Sequence, residues 1–444
     1  MKKLLCLIFV LTFVLSFVAC APADDSIPSE SSSIAPESTE EPAQPTETTP
    51  QIPFLKIKGV DISEYSIIYY TEGNKNENVQ SVRLAEHFYS VFDKEIEILP
   101  DDEGKHQYAI IITDTLPSVA KDHTIDLTTS LIIGEDGIVW IVASNAYTLE
   151  IAVDKFIADS MPSDADSIVD LDYSGDNAVN VKDEDLGEIL RVMSYNVQTG
   201  TPDRQRQTDM IKNITDFMPD VVGTQEVNNA WITIFKLKGL LNEYELVGEP
   251  RNGNKTTDTS NGNEYSAILY RKSKFNLLDS GTCWLSDTPD KPGSKLESSE
   301  YTRIMTYVVL ERISDGARFV HVNTHMSWDA KGEKTNLQQM KIILNLVDER
   351  IYSKYGELPT YFTGDFNVTM TSEGYKYLIA SGTEDSRLIA EVTTDKNTFS
   401  GGSLIDYCIV SKGDFLVASF DVGHGKPGSD HYPVYVEMYI TPQK

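Results

Sequence analysis

Tyr361-Phe362-Thr363-Gly364-Asp365-Phe366-Asn367 is the stretch on which the reading of the C-terminal half turns. Aromatic and β-branched residues run into Gly-Asp and then Asn, the pattern of an apolar strand that stops on a turn. Alone it says no more than that. Four further runs in the same half end in the same way. Arg191-Val192-Met193-Ser194-Tyr195-Asn196-Val197 carries an Asn at a strand end, and Asp220-Val221-Val222-Gly223-Thr224-Gln225-Glu226-Val227 carries a Glu. Val322-Asn323-Thr324-His325-Met326-Ser327-Trp328-Asp329 ends on a His, and Gly428-Ser429-Asp430-His431-Tyr432-Pro433-Val434 sets Asp-His before an apolar run. A strand-terminal Asn is usually a turn residue, an exposed Glu is usually only solvated, and a lone His is usually structural. Polar residues gathered just after strand ends are, however, where a rigid scaffold holds functional groups.

Outward from these runs, the chain after Leu186 alternates short β-rich segments with helical spacing. Strands are expected at 190–196, 221–225, 265–270, 304–310, 319–324, 360–363, 405–410 and 434–439, and helices at 204–218 and 334–351. This is an α/β pattern compatible with two sheets packed between helices. The polar groups suit one chemistry. Hydrolysis of a phosphate ester needs neutralised phosphoryl oxygens, an activated water and help for the departing oxygen, hence a hard cation, a base and hydrogen-bond donors. An Asn oxygen and a Glu carboxylate suit magnesium, which prefers oxygen ligands.

In this order the five runs resemble the endonuclease/exonuclease/phosphatase superfamily, which includes pancreatic-type deoxyribonucleases, abasic-site endonucleases, neutral sphingomyelinases and inositol-polyphosphate 5-phosphatases. The resemblance covers about residues 190–438. It implies a four-layer α/β sandwich of the DNase I type and a requirement for Mg2+ or Mn2+. It implies Asn196 and Glu226 as metal ligands with Asp430 at or near the metal, and Asp365 as the group that orients or deprotonates the attacking water. Asn367 would bind a phosphoryl oxygen, and His325 and His431 would stabilise developing charge from opposite sides. Asp406, in Leu404-Ile405-Asp406-Tyr407, is the implied partner of His431, and Glu264, in Asn263-Glu264-Tyr265-Ser266, that of His325. A carboxylate beside an imidazole favours its protonated form, the better phosphate donor. Arg303, in Tyr301-Thr302-Arg303-Ile304, stands where members often carry a phosphate-contacting Arg, and His424 lies in Gly423-His424-Gly425 just before the Asp-His run.

The rest of the chain frames this unit. Residues 1–19 read as an export signal: Lys2 and Lys3 precede an apolar run too short to be a good membrane span. Leu15-Ser16-Phe17-Val18-Ala19-Cys20 resembles a bacterial lipobox, which makes Cys20 the expected lipidated residue. Buried acyl chains, at roughly 0.8 kcal/mol per methylene, would tether the protein at the outer face of a cell membrane. Residues 20–53 are rich in Pro, Ser, Thr and Glu and read as an extended, unfolded stalk. A small α/β domain is expected at 54–172, with His87, His106 and His123 as ordinary surface residues, followed by an acidic connection at 173–187 and the catalytic domain at 188–444. Cys283 and Cys408 sit in apolar runs without metal-ligand spacing, so neither a disulfide framework nor structural zinc is expected.

The formal charge of −30 is unevenly spread: residues 1–187 hold 11 basic and 34 acidic side chains, and 188–444 hold 27 and 34. The second part is thus near −7, without the basic stripe needed to track along a long nucleic acid. The substrate class stays open between nucleic acid, a phospholipid headgroup and a sugar phosphate, as a diester or a monoester. Nothing in the sequence calls for an obligate protein partner. The competing reading is a non-catalytic lipoprotein that captures a phosphorylated or glycan ligand, and the presence of all five runs together speaks against it.

Overall fold

The computed structural model describes residues 52–69, 75–100, 106–113, 117, 120–163, 167–175, 177–181, 186–253, 262–328, 332–423 and 425–442. Cys20, the signal and stalk segments, and His424 lie outside them. Strands β1 (Phe54–Ile57), β2 (Val60–Asp61), β3 (Ser66–Tyr69), β4 (Ile98–Pro100), β5 (Ala109–Thr113), β6 (Thr129–Glu135), β7 (Ile138–Ala143), β8 (Ile168–Leu171) and β9 (Ala178–Asn180) build the N-terminal part with helices α1 (Lys75–Phe92) and α2 (Ala146–Ser160). They form a six-stranded sheet in the order β4-β3-β5-β7-β6-β9 and a small sheet in the order β2-β1-β8. Leu84, Phe88 and Phe92 of α1 and Leu149, Val153 and Phe156 of α2 recur at helical spacing and are buried with Ile67, Ile110, Ile112 and Ile141 of the sheet. The segment expected as a bare connection contributes β9, which pairs with β6. With only Ala178 and Val179 apolar, its sequence carries little strand signal, and pairing supplies what pattern does not.

The second part has two larger sheets. One has the order β12-β13-β11-β10-β22-β21-β19, from Tyr244–Val247 (β12), Ile268–Arg271 (β13), Val221–Gln225 (β11), Leu190–Asn196 (β10), Val434–Ile440 (β22), Phe415–Val422 (β21) and Val392–Thr393 (β19). The other has the order β14-β15-β16-β17-β20-β18, from Phe275–Trp284 (β14), Ile304–Arg312 (β15), Arg318–His325 (β16), Thr360–Asp365 (β17), Asp406–Ser411 (β20) and Thr383–Asp385 (β18). Val192, Val221 and Val436 of the first sheet are buried with Leu310, Phe319 and Val410 of the second, so the sheets pack face to face. The outer face of the first is covered by α3 (Arg204–Phe217) and α4 (Asn229–Leu237) through Met210, Ile214, Trp231 and Phe235. The outer face of the second is covered by α5 (Gly332–Val347) and α6 (Glu373–Ala380) through Met340, Ile343, Tyr375 and Leu378. Helix, sheet, sheet, helix is the four-layer α/β sandwich expected from the sequence. A seam of Leu127, Val181, Leu186 and Leu416 joins this sandwich to the N-terminal part.

Register then delivers the strand ends to one place. The parallel pairing of β16 with β17 sets His325 opposite Asp365, and the antiparallel pairing of β17 with β20 sets Asp365 opposite Asp406. In the first sheet, β10 pairs with β11 so that Asn196 lies beside Gln225, one residue before Glu226. A buried polar cluster locks the sheets together beneath these ends. Asn323 Nδ2 donates to the carbonyls of Thr224 (2.8 Å) and Ala267 (3.1 Å), while its Oδ1 accepts from Gln225 Nε2 (2.8 Å) and Thr363 Oγ1 (3.0 Å). Close approach at this point requires Gly223: a Cβ there would collide with Thr363 Oγ1 and lie 2.6 Å from Asn323 Oδ1.

Gly223→Ala is expected to overpack this cluster and cost about 1–3 kcal/mol. Urea denaturation should show a lower midpoint for it. Gly175→Ala, whose Cβ would meet nothing within 4 Å, should stay within about 0.5 kcal/mol of the parent.

Candidate active site

Asp365 occupies the centre of the assembled strand ends, and it is buried. Its Oδ1 accepts the backbone N–H of Asn367 at 2.9 Å, and its Oδ2 accepts Asn196 Nδ2 at 3.0 Å. The same oxygen stands 3.5 Å from His325 Nε2 and 3.6 Å from His431 Nε2. Burial, followed by the nearby Asp406 charge, pushes the Asp365 carboxyl up to about 7 against the pull of His431 and its hydrogen bonds.

Glu226 stands beside it. Asn196 Nδ2 donates to Glu226 Oε1 at 3.1 Å as well as to Asp365, and the backbone N–H of Thr199 donates to Glu226 Oε2 at 2.8 Å. The amide orientation of Asn196 is fixed, because its Oδ1 accepts the N–H of Gln198 at 2.9 Å. Both amide protons are therefore spent on the two carboxylates. Where the sequence suggests an oxygen ligand for a metal, the structure turns a donor nitrogen toward the site, and Asn196 holds the two acids in place. The backbone is left-handed at Gln198 (φ 55°), Glu226 (φ 62°) and Asn367 (φ 55°). Such conformations cost non-glycine residues of order 1–3 kcal/mol and cluster where function demands a fixed geometry.

The two histidines differ. His431 Nδ1 lies 2.8 Å from Asp406 Oδ2. Burial alone would lower its pKa, but Asp406, with lesser contributions from Asp365 and Asp430, raises it to about 9. His325 is pushed well below its usual value, first by burial and then by Arg303, Arg251 and His431. Glu264, expected to pair with His325, instead binds Arg251: Oε2 to Nη1 is 2.7 Å. A permanently charged guanidinium is a better counter-ion for a buried carboxylate than an imidazole that must first be protonated. Burial still lifts Glu264 to about 7, with Arg251 opposing.

A cleft of about 540 Å³ opens over this centre, lined by Glu226, Arg251, Glu264, Arg303, His325, Asp365, Asn367 and His431 together with Tyr301, Trp328, Phe399 and Ile405. Arg303 is buried, and its Nε has no hydrogen-bond partner among the described residues. Burial and Arg251 lower its pKa only to about 10, so it stays a cation. Asn367 commits one amide proton to the carbonyl of Met326 at 3.0 Å. Asp430 adjoins His431, takes a 3.3 Å hydrogen bond from Ser429 Oγ, and does not line the cleft.

Asp365, Asp406 and His431 present potential ligand atoms within 4.8 Å of one another. The hydrogen bond between His431 and Asp406 already uses the facing atoms of that pair, so we read it as an acid–imidazole dyad. The donor set that fits a hard cation is the one Asn196 bridges, Glu226 with Asp365: two oxygen-bearing acids held on one amide.

The sequence profile of the Endonuclease/Exonuclease/phosphatase family matches residues 193–431. The chain belongs to this family. Human 2′,5′-phosphodiesterase 12 is 28% identical over 189 residues, 39% of this chain and 30% of that protein. The CCR4-Not complex 3′-5′-exoribonuclease subunit Ccr4 of Emericella nidulans is 23% identical over 222 residues, 40% of this chain and 33% of that protein. The chain thus spans about a third of the length of these curated relatives. The crystal structure of an endonuclease/exonuclease/phosphatase from Bacteroides vulgatus aligns with 57% of this chain and 99% of its own at 28% identity and a TM-score of 0.51. As a family member the chain has the DNase I-like sandwich; four of the five motif runs line its cleft, and the fifth reaches it through Asn196, hydrogen-bonded to Glu226 and Asp365.

Sequence reasoning missed Arg251, Phe399 and the rim roles of Tyr301 and Trp328. Arg251 meets Glu264 across 13 residues and Tyr301 across 50, a contact that only tertiary structure brings about.

The sign of the His431 shift gives a prediction. Its folded-state pKa lies above the ordinary value of about 6.5, so the stability from the Asp406 pair is fully present below that value and is lost as pH rises through about 9. Long-range 1H–15N spectra at pH 7.5 should show both ring nitrogens of His431 protonated, while His325 is neutral. Asp406→Asn should move the His431 titration to lower pH; an unmoved titration would refute the pairing.

Proposed function

We propose that the chain hydrolyses a phosphate ester, diester or monoester, by attack of a water activated at Asp365, with a divalent cation, Mg2+ or Mn2+, as cofactor. The observation that carries this reading is the meeting of Asn196, His325 and His431 on the single buried carboxylate Asp365. Glu226 and Asp365 would hold the cation, whose chemical part is to neutralise charge on phosphoryl oxygens. The chain's own groups supply the rest. Asp365 takes the proton of the attacking water, and as the ester P–O bond breaks that proton passes to the departing alcohol oxygen. His431, kept protonated by Asp406, donates from Nε2 to a phosphoryl oxygen. Arg303 brings its buried positive charge to the same group, and Asn367 offers its second amide proton. Neutral His325 stands 3.5 Å from the same Asp365 oxygen that faces His431. The activities named for the human and fungal relatives, a phosphodiesterase and an exoribonuclease, support an ester of phosphoric acid as substrate class, with nucleic acid, a phospholipid headgroup and a sugar phosphate as candidates.

In the same proposal the enzyme works outside the cell, held at the membrane by lipid on Cys20 and lifted from it by the stalk at 20–53. The support is the lipobox-like run before Cys20. Among the described residues no helix is long and apolar enough to cross a membrane.

Purified protein should hydrolyse at least one ester in a panel of DNA, RNA, sphingomyelin, phosphoinositides and sugar phosphates. Chelator should stop turnover, and magnesium or manganese should restore it. Asp365→Asn should lower kcat by about 10²–10⁴-fold, the usual worth of a positioned base, with its circular dichroism unchanged. A folded protein without turnover on any member would overturn the hydrolase reading in favour of a binding lipoprotein. For the anchor, Cys20→Ala should shift the expressed protein from the detergent phase to the aqueous phase; an unchanged partition would refute lipidation.

A further inference from the structure

The cleft is larger than the group that reacts in it. Its volume of about 540 Å³ falls in the range of sites that enclose a small organic ligand, roughly 300–1,000 Å³. The acids, histidines and Arg303 account for the phosphate, which leaves the rim. Of its three aromatic residues, Phe399 packs on the His431 ring at 4.9 Å between centroids, which leaves Tyr301, 39% exposed, and Trp328, 59% exposed, without a role so far. A single exposed aromatic is ordinary. These two stand on one cleft, and their segments are tied together from below.

The tie is a buried polar network. Ser299 Oγ donates to the carbonyl of Tyr301 at 2.7 Å and lies 2.7 Å from Ser327 Oγ. Gln339 of α5 accepts the backbone N–H of Ser327 at 3.0 Å and donates to Ser327 Oγ at 2.9 Å. Ser299, Ser327 and Gln339 are all buried. Connected networks of this kind rigidify what they join. This one makes no hydrogen bond to any group assigned to catalysis; what it joins is the backbone of Tyr301 and the residue before Trp328.

The two rings are not equivalent. The guanidinium carbons of Arg251 and Arg303 stand 5.4 and 5.8 Å from the centre of the Tyr301 ring, so that ring is already engaged with cations. Trp328 has no ring or cation partner among the described residues. We infer that Trp328 is the stacking platform for an uncharged ring in the alcohol part of the ester, with Tyr301 as the side wall, and that this pair selects ring-bearing esters over cationic headgroups. A quaternary ammonium is recognised by free aromatic faces, and here the two arginines on Tyr301 would repel it. A neutral ring meets no such penalty and gains the indole face, a contact that is tolerant of ring identity. A nucleoside and a sugar both carry such a ring. This inference rests on the phosphoesterase reading.

Steady-state rates of the full chain with magnesium on a nucleoside monophosphate, a hexose phosphate, glycerol phosphate and phosphocholine test it, with Trp328→Ala and Trp328→Phe beside the parent. In Trp328→Ala the ratio of kcat/KM on the preferred ring-bearing ester to that on glycerol phosphate should fall about 10-fold, through KM, as expected for loss of one stacked ring; Trp328→Phe should restore most of it. An unchanged ratio, or a preference of the parent for phosphocholine, overturns the inference. Tryptophan emission gives a readout independent of turnover. Titration with the nucleoside monophosphate and with the hexose phosphate should give a saturable change in the parent that Trp328→Phe lacks, and the ring that gives it identifies the source. If no ester is turned over, the hydrolase reading fails by itself; if neither ring perturbs Trp328, the stacking platform fails.

Discussion

A single side chain, Asn196, connects the two sheets at the place where chemistry is expected. It leaves the end of β10 in one sheet and donates to Asp365 at the end of β17 in the other, and its second amide proton goes to Glu226. Two carboxylates close together repel each other, and burial strips solvation from Asp365. An amide with both protons directed at them stabilises the pair without cancelling its charge. The rest of the fold serves this arrangement. The Asn323 cluster fixes the spacing of the sheets beneath it, Gly223 permits their approach, and three left-handed residues around the site are held by the packing of the layers.

The electrostatics divide the cleft into an acidic floor and a cationic flank. Asp365 and Glu226 lie on the floor, and Arg251 and Arg303 lie on the flank with Glu264 between them. The negative charge on the oxygens of a phosphate ester suits such a flank, and the converging acids are where the proposed cation would sit. The two buried histidines take opposite states. In His431 the facing Asp406 carboxylate outweighs burial and holds a proton, whereas His325 is pushed down by burial first and then by Arg303 and Arg251. Nearly symmetrical in sequence, the two rings become a donor and a neutral spacer through their neighbours.

Much of this arrangement is legible in the amino-acid sequence. Apolar runs that stop on Asn196, Glu226, His325 and Asp365, and one that starts just after Asp430-His431, mark strand ends, and strand ends of two facing sheets meet at one edge. The pairing of His431 with Asp406 follows from the family resemblance and is present at 2.8 Å. Partner choice is not legible. Glu264 lies within reach of several cations, and only packing decides that Arg251 takes it. The orientation of the Asn196 amide depends on the backbone N–H of Gln198, which a sequence does not display. Strand β14 escapes a reading by pattern because its polar residues Asn276, Asp279 and Ser280 dilute the apolar signal, and β9 escapes it because it is short and polar.

The proposed chemistry rests on one seat for one cation, between Glu226 and Asp365 at the amide of Asn196. Crystals soaked in manganese and measured at the manganese absorption edge test it directly. The expected result is an anomalous peak within bonding distance of the Glu226 and Asp365 carboxylates, with the Asp406–His431 hydrogen bond intact beside it. A peak seated on Asp406 and His431, or none at saturating manganese, would contradict it.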